Sequence, residues 1–328
     1  MIDKMLKNLF IPILLAIAFT PIAPALAQVK SSDVVLAVFP ENPAANQNVQ
    51  AKLDTFVIDL KKAYISWSVN GQRLSGGIGR DTFSFDIGPG GTQSELSASI
   101  ETIDGQSIVK NLYISPLELD ILWEGHNSYT PPFYRGKTLV SKEGEYKVAT
   151  IPSTGDSISG TKNFSYNWSK DGNAQIGSSG WGKSSFIFKN TYLDRTNTVE
   201  VKVSDILNKF SGTKNITLEA GSSKVLFYKL NKDIGILTNV AIEENFEIKK
   251  GGETIAAIPY FINTQNLEDS NILFKWKVGD QNVLTEAPRN QISIVPESGK
   301  KGFSTLGLTV ENTRNLFQGI GKTINVRF

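Results

Sequence analysis

The sequence predicts an all-β protein built as three antiparallel β-sandwiches in tandem, preceded by an N-terminal signal peptide, and three observations carry that expectation. First, the stretch Tyr64-Ile65-Ser66-Trp67-Ser68-Val69-Asn70-Gly71 has cousins at Tyr166-Asn167-Trp168-Ser169-Lys170-Asp171-Gly172 and Phe274-Lys275-Trp276-Lys277-Val278-Gly279-Asp280. Each is a short alternating strand centred on Trp and closed by a tight-turn pair. Second, the three tryptophans stand 101 and 108 residues apart, about the length of one sandwich domain. Third, Gly77-Ile78-Gly79-Arg80-Asp81-Thr82-Phe83-Ser84-Phe85 matches Gly180-Trp181-Gly182-Lys183-Ser184-Ser185-Phe186-Ile187-Phe188 in pattern, at nearly equal distance beyond its Trp. A repeat that agrees at two places is a repeat of a module.

The first 27 residues have the form of an export leader. Lys4 and Lys7 begin it, Leu9 to Phe19 is apolar, and Ala25-Leu26-Ala27 supplies small residues for cleavage before Gln28. Pro12, Pro21 and Pro24 and the shortness of the apolar run argue against a retained anchor, since a span needs roughly 20 apolar residues. No membrane span is expected after cleavage, and the location expected is extracellular, cell-surface or periplasmic. The chain contains no Cys, so each module must stand on its packed core, and thiol catalysis and thiolate metal sites are excluded. A net charge of +2 with both signs interspersed gives no basic face, and no nucleic-acid partner is expected.

The modules are expected at 31–115, 116–221 and 222–328. In the first, Val34 to Phe39 and Val49 to Leu60 read as strands separated by a Pro/Asn-rich loop, and Gly76 to Arg80 reads as a loop. Leu96, Ala98 and Ile100 alternate with Ser97, Ser99 and Glu101, the period of a half-buried strand. The second repeats the plan, with Val199, Val201 and Val203 in the same role. The third is the most diverged: Ile292 and Ile294 stand where the paired phenylalanines were, and the double-Gly loop is gone. Helical periodicity is absent beyond the leader, apart from single turns expected at Asp205 to Phe210 and Gln265 to Ser270. In such sandwiches Trp67, Trp168 and Trp276 are expected as the structural core.

At these residues the chain resembles bacterial immunoglobulin-like domains, particularly the polycystic-kidney-disease (PKD) type. That family's Trp strand with an Asp/Asn/Gly turn is similar to Trp67–Gly71 and Trp168–Gly172, and its Val-x-Val-x-Val strand is similar to Val199, Val201 and Val203. The acidic-Gly run usual after the Trp in PKD domains is missing here. The stretches Asp59 to Gly71 and Tyr129 to Lys137 also look like uncharacterised exported proteins predicted in uncultured small-genome bacteria. The resemblance implies a spacer, adhesive unit or binding module and brings no catalytic residue with it.

Candidates for chemistry are few. His126 is the single His, with no Gly-x-Ser-x-Gly elbow to serve and no second His to share a metal, so it reads as a loop histidine. Neither a cofactor nor a metal is expected. Trp181, between two glycines and matched by apolar Ile78, is the leading candidate for an exposed contact residue. Trp123, Tyr129, Phe133 and Tyr134 could stack on a sugar or peptide, but are expected to cover the open end of the second module or wedge it against the first, stiffened by Pro131-Pro132. Glu297 to Gly302 lacks the spacing of a phosphate loop and reads as a turn. The expected function is a non-enzymatic envelope scaffold or adhesion module, partnered by a cell-envelope protein or glycan. The alternatives are a carbohydrate- or peptide-binding module and, more distantly, a hydrolase. An outer-membrane barrel, suggested by the alternating Ile324, Val326 and Phe328, is disfavoured because a barrel repeats at every hairpin.

Overall fold

A computed structural model of the chain describes residues 30–154, 157–158, 160–206, 209–297 and 301–328. The expected leader lies outside the described residues, and the Glu297 to Gly302 turn lies partly outside them. The described chain forms three immunoglobulin-like antiparallel β-sandwiches in tandem, each with two sheets closing on its own core.

The first sandwich contains β1 (Val34–Phe39), β2 (Asn48–Thr55), β3 (Tyr64–Val69), β4 (Gln72–Ile78), β5 (Thr82–Asp86), β6 (Ser94–Glu101) and β7 (Ser107–Ile114). One sheet has the order β1-β2-β5 and the other β4-β3-β6-β7. Alternation decides the faces: Leu96, Ala98 and Ile100 turn inward toward Val49, Ala51 and Leu53, while the polar residues between them face out. Two extents differ from expectation. The second strand stops at Thr55, where the alternation ends, and the expected Gly76 loop is the far half of β4, held by cross-strand pairing of Gly76 with Ser66 and Gly77 with Ile65. Asn70 and Gly71 both take left-handed backbone angles at the β3–β4 turn, and Asp171 and Gly172 do the same in the second sandwich.

The second sandwich contains β8 (Glu118–His126), β9 (Glu145–Thr154), β10 (Ser157–Ile158), β11 (Phe164–Lys170), β12 (Asn173–Ala174), β13 (Gly180–Trp181), β14 (Ser185–Lys189), β15 (Thr196–Asp205) and β16 (Ser211–Glu219). Its sheets are β10-β9-β14 with β8 beside β9, and β12-β11-β15-β16 with β13 beside β11. The third contains β17 (Lys224–Asn231), β18 (Gly235–Ile242), β19 (Asn245–Glu247), β20 (Glu253–Tyr260), β21 (Ile272–Val278), β22 (Gln281–Val283), β23 (Gln291–Ile294), β24 (Phe303–Asn312) and β25 (Ile320–Arg327). There the sheets run β18-β17-β20-β23 and β19-β25-β24-β21-β22, with β19 pairing parallel to β25. The β17–β18 hairpin was not expected from the sequence. The single turn expected at Asp205 to Phe210 lies partly outside the described residues, and 265–270 is a run of bends and turns with no assigned helix.

Trp67, Trp168 and Trp276 are almost wholly buried in the three cores, and each indole N–H donates to a main-chain carbonyl: Arg80 at 2.8 Å, Lys183 at 2.9 Å and Arg289 at 3.0 Å. A buried indole needs such a partner. The basic residue that ends each Gly-x-Gly motif is therefore the one whose carbonyl caps the Trp, and the third sandwich keeps this bond after losing the glycines. Ring stacking is conserved by substitution of the donor strand. Phe83 stacks on Trp67 and Phe186 tilts against Trp168, whereas in the third sandwich Phe227 of β17 stacks on Trp276 in place of the missing phenylalanine.

Candidate functional site

The five aromatic residues singled out from the sequence fall into three different places. Trp181 sits on the two-residue β13, paired with Ser165 at the edge of its sheet and about half exposed (51 %). Its backbone is fixed by Gly182, whose N–H donates to the Phe164 carbonyl at 2.9 Å. Ile78, the matching residue in the first sandwich, is 70 % exposed, so both modules present an apolar side chain at this position.

Trp123 lies half-buried on β8, edge-on to Tyr146, with the Lys137 ammonium 3.3 Å from its ring centroid. Burial of that ammonium lowers the Lys137 pKa below the ordinary lysine value, against the opposing pull of Glu124. Ile121, Trp123, Lys137 and Ile216 line a shallow cleft here of about 460 Å3.

Tyr129, Phe133 and Tyr134 correct the expectation that this segment caps the second module or wedges it against the first. They belong to the 18-residue loop 127–144 between β8 and β9, and this loop crosses to the third sandwich. The Tyr129 N–H donates to the Ile262 carbonyl at 2.8 Å, and Tyr129 in turn accepts from the Phe261 N–H at 2.7 Å. Phe133 meets Tyr228 edge-on, and Tyr134 meets both Tyr260 and Phe261 edge-on. The physical reason is that the outer face of β17 and β20 carries Tyr228, Ile258 and Tyr260, an apolar face that needs a cover.

Beside this strap lies a polar contact that the sequence did not signal. Gln318 is 2 % exposed and uses all four of its hydrogen-bonding positions. Its amide nitrogen donates to Ser141 Oγ at 2.9 Å and to the Lys142 carbonyl at 2.7 Å, and its oxygen accepts from the Asn263 N–H and from Asn312 Nδ2, each at 3.0 Å. Glu143 accepts from the Phe317 N–H at 2.7 Å, Gln265 donates to Asn127 at 2.7 Å, and Tyr192 stacks on Phe317 at 4.4 Å. Only an element that is already in place can satisfy a buried amide so completely, and the motif Leu316-Phe317-Gln318-Gly319 reads in isolation as an ordinary loop.

His126 ends β8 opposite Glu145, and no group of three or more His, Asp or Glu side chains poised to hold a metal ion occurs among the described residues. No helix among the described residues is long and apolar enough to cross a membrane.

No family model matches the chain, and no curated protein matches it. Solved structures with similar arrangements include the three N-terminal domains of the bacteriophage RB49 highly immunogenic outer capsid protein (9 % identity, 90 % of this chain and 97 % of that one, TM-score 0.27). Others are the Sidekick-1 immunoglobulin domains 1–5 (9 %, 90 % and 58 %, 0.30) and a 1.5-MDa bacterial ice-binding adhesin (9 %, 89 % and 96 %, 0.23). Scores this low add nothing to what the sheets already establish, and the class defined by the fold is a tandem immunoglobulin-like β-sandwich protein.

Proposed function

We propose that this chain is a non-enzymatic scaffold or adhesion module exported to a cell envelope, with modules at 31–115, 116–221 and 222–328. In it the second and third modules act as one stiff arm and the first is carried on a short connector. The observation that supports this reading best is the fully satisfied Gln318 amide, which ties Ser141 and Lys142 to Asn263 and Asn312 and so fixes the angle between two sandwiches. Holding modules at a set angle is useful to a spacer or display protein. The leader with Lys4, Lys7 and Ala25-Leu26-Ala27 supports export.

Because the chain has no Cys, paired spin labels can be introduced on cysteines without background. A pair at Ile187 and Val240, both exposed, is expected to give one narrow distance distribution, and a pair at Val109 and Ile187 a broad one. Equal breadth for both pairs would remove the stiff-arm reading. A second reading, contact with an envelope protein or glycan through Trp181, is favoured by its exposure on an edge strand and by the apolar counterpart Ile78. Retention of the full chain on purified cell envelopes, lost in Trp181→Ala, would support it, and retention unchanged by that substitution would exclude it.

A further inference from the structure

The junction between the second and third sandwiches encloses more than a fastening. Beside the Gln318 contact lies a cavity of about 420 Å3 that both sandwiches wall, and pockets for small ligands favour such domain interfaces. Its charged groups are arranged unusually. Lys189 and Glu145 stand directly opposite on β14 and β9, where a cross-strand ion pair would be expected, yet they do not pair with each other. Lys189 instead donates to Asn315 Oδ1 at 2.8 Å, and Glu145 accepts from Asn127 at 2.9 Å. Both ions are thus held by neutral amides, and no ion pair joins them across the cavity. Arg314, beside Asn315, adds a second cation and Asp269 a second carboxylate, the two ion-paired at 3.6 Å, so the walls carry two groups of each sign.

We infer that this cavity binds a small zwitterion of amino-acid or dipeptide size, its carboxylate directed to Lys189 and Arg314 and its ammonium to Glu145 and Asp269. A ligand of one net charge would meet partners of only one of the two signs that the walls present. A neutral sugar fits less well, because the lining residues include no aromatic ring on which a pyranose could stack. Since the two walls come from different sandwiches, the ligand would also brace the junction. This inference uses the placement of the two sandwiches and does not depend on whether the protein adheres to anything.

Glycylglycine is a suitable probe, titrated into the full chain with calorimetry and with side-chain amide NMR as readouts. The expected result is saturable binding, shifts at the Asn127, Asn263 and Gln265 amides, and a raised unfolding temperature for the second and third sandwiches but not the first. The double variant Glu145→Gln/Lys189→Met should bind at least about tenfold more weakly, as expected when charge-assisted bonds are lost. Arg314→Gln, at an exposed side chain, gives a second variant with little risk to folding, and it too should weaken binding. Absence of saturable binding would overturn the proposal. So would binding unaffected by either variant, or cellobiose producing the same amide shifts equally in the wild-type and charge-altered chains.

Discussion

The two junctions of this molecule are built on different principles. Between the first and second sandwiches the hydrogen bonds are main-chain ones at the connector: Ser211 N–H to the Ser115 carbonyl at 3.2 Å and Gly91 N–H to the Pro116 carbonyl at 3.0 Å, while Leu117 N–H, bonded to the Ser211 carbonyl at 2.8 Å, ties the start of the second sandwich to its own last strand. Gly212 permits this close approach, because a Cβ there would collide with the Leu117 carbonyl. Between the second and third, side chains reach across: Gln318, Glu143, Gln265 and Lys189 all bond into the neighbouring sandwich, Phe133 and Tyr134 cover its outer face, and Tyr129 packs against its core. A main-chain connector fixes where two bodies meet. Interlocking side chains also fix the angle, and they couple the stabilities of the bodies they join.

The largest effect that should separate the two junctions comes from the core tryptophans. Trp67→Ala and Trp168→Ala should each cost about 3–5 kcal/mol in their own module. Calorimetry should then show Trp67→Ala lowering one unfolding transition alone, while Trp168→Ala lowers the transitions of both the second and third modules. Independent transitions in the second case would show that the junction does not transmit stability.

Next in size is Gln318→Ala, which strands the Ser141 hydroxyl, the Asn263 N–H and the Asn312 amide in a buried place. A loss of about 2–3 kcal/mol is expected in denaturant unfolding of the second and third modules, with the first unchanged. A change below about 0.5 kcal/mol would mean that water replaces the glutamine at no cost.

Alkaline pH should separate the modules without mutation. Burial raises Tyr146 and Tyr166 in the second core to about 12, and burial together with the Tyr228 hydroxyl raises Tyr260 in the third further still. Because the folded state favours the neutral phenol, this stability is fully present below the unfolded pKa of about 10 and drains away as pH rises through the folded values. The first core contains no tyrosine, and the phenol of its module that is raised, Tyr113 through its hydrogen bond with Glu95, is exposed, so its transition should fall less than the others across that window. The smallest effect should come from Lys137→Met, which removes the ammonium over Trp123 at a cost of about 0.5–1 kcal/mol, read as a small shift in the second module's transition.

The fold was legible because alternation, turn pairs and a recurring Trp are local signals. Leu96 to Ile100 and Val199 to Val203 show their faces in the sequence, and Asn70-Gly71 and Asp171-Gly172 show their turns. The Gly-x-Gly-basic motif was visible as a pattern, but its purpose was not, since the capping bond joins a carbonyl to an indole across a sheet. What was lost was the choice of neighbour. Phe133 and Tyr134 are plainly apolar, yet nothing in their spacing says whether they cover the first or third sandwich. That depends on Tyr228 and Tyr260, which become a shared face only after β17 and β20 pair. Gln318 gave no sign at all, because an amide in a loop is ordinary until its four partners are assembled around it. The β17–β18 hairpin is not legible in the sequence because its Gly235–Ile242 strand lacks clean alternation in both sequence and burial.

The strap formed by loop 127–144 has a consequence for the order of events during synthesis. A chain emerges from its N-terminus, so Tyr129, Phe133 and Tyr134 appear well before Phe261 and Ile262, the groups that receive them. The second sandwich can close its own two sheets on time, but its long loop must wait, with aromatic rings uncovered, until the last third of the polypeptide arrives. A nascent or truncated chain ending near residue 221 would therefore expose aromatic rings that the finished protein packs against its third sandwich.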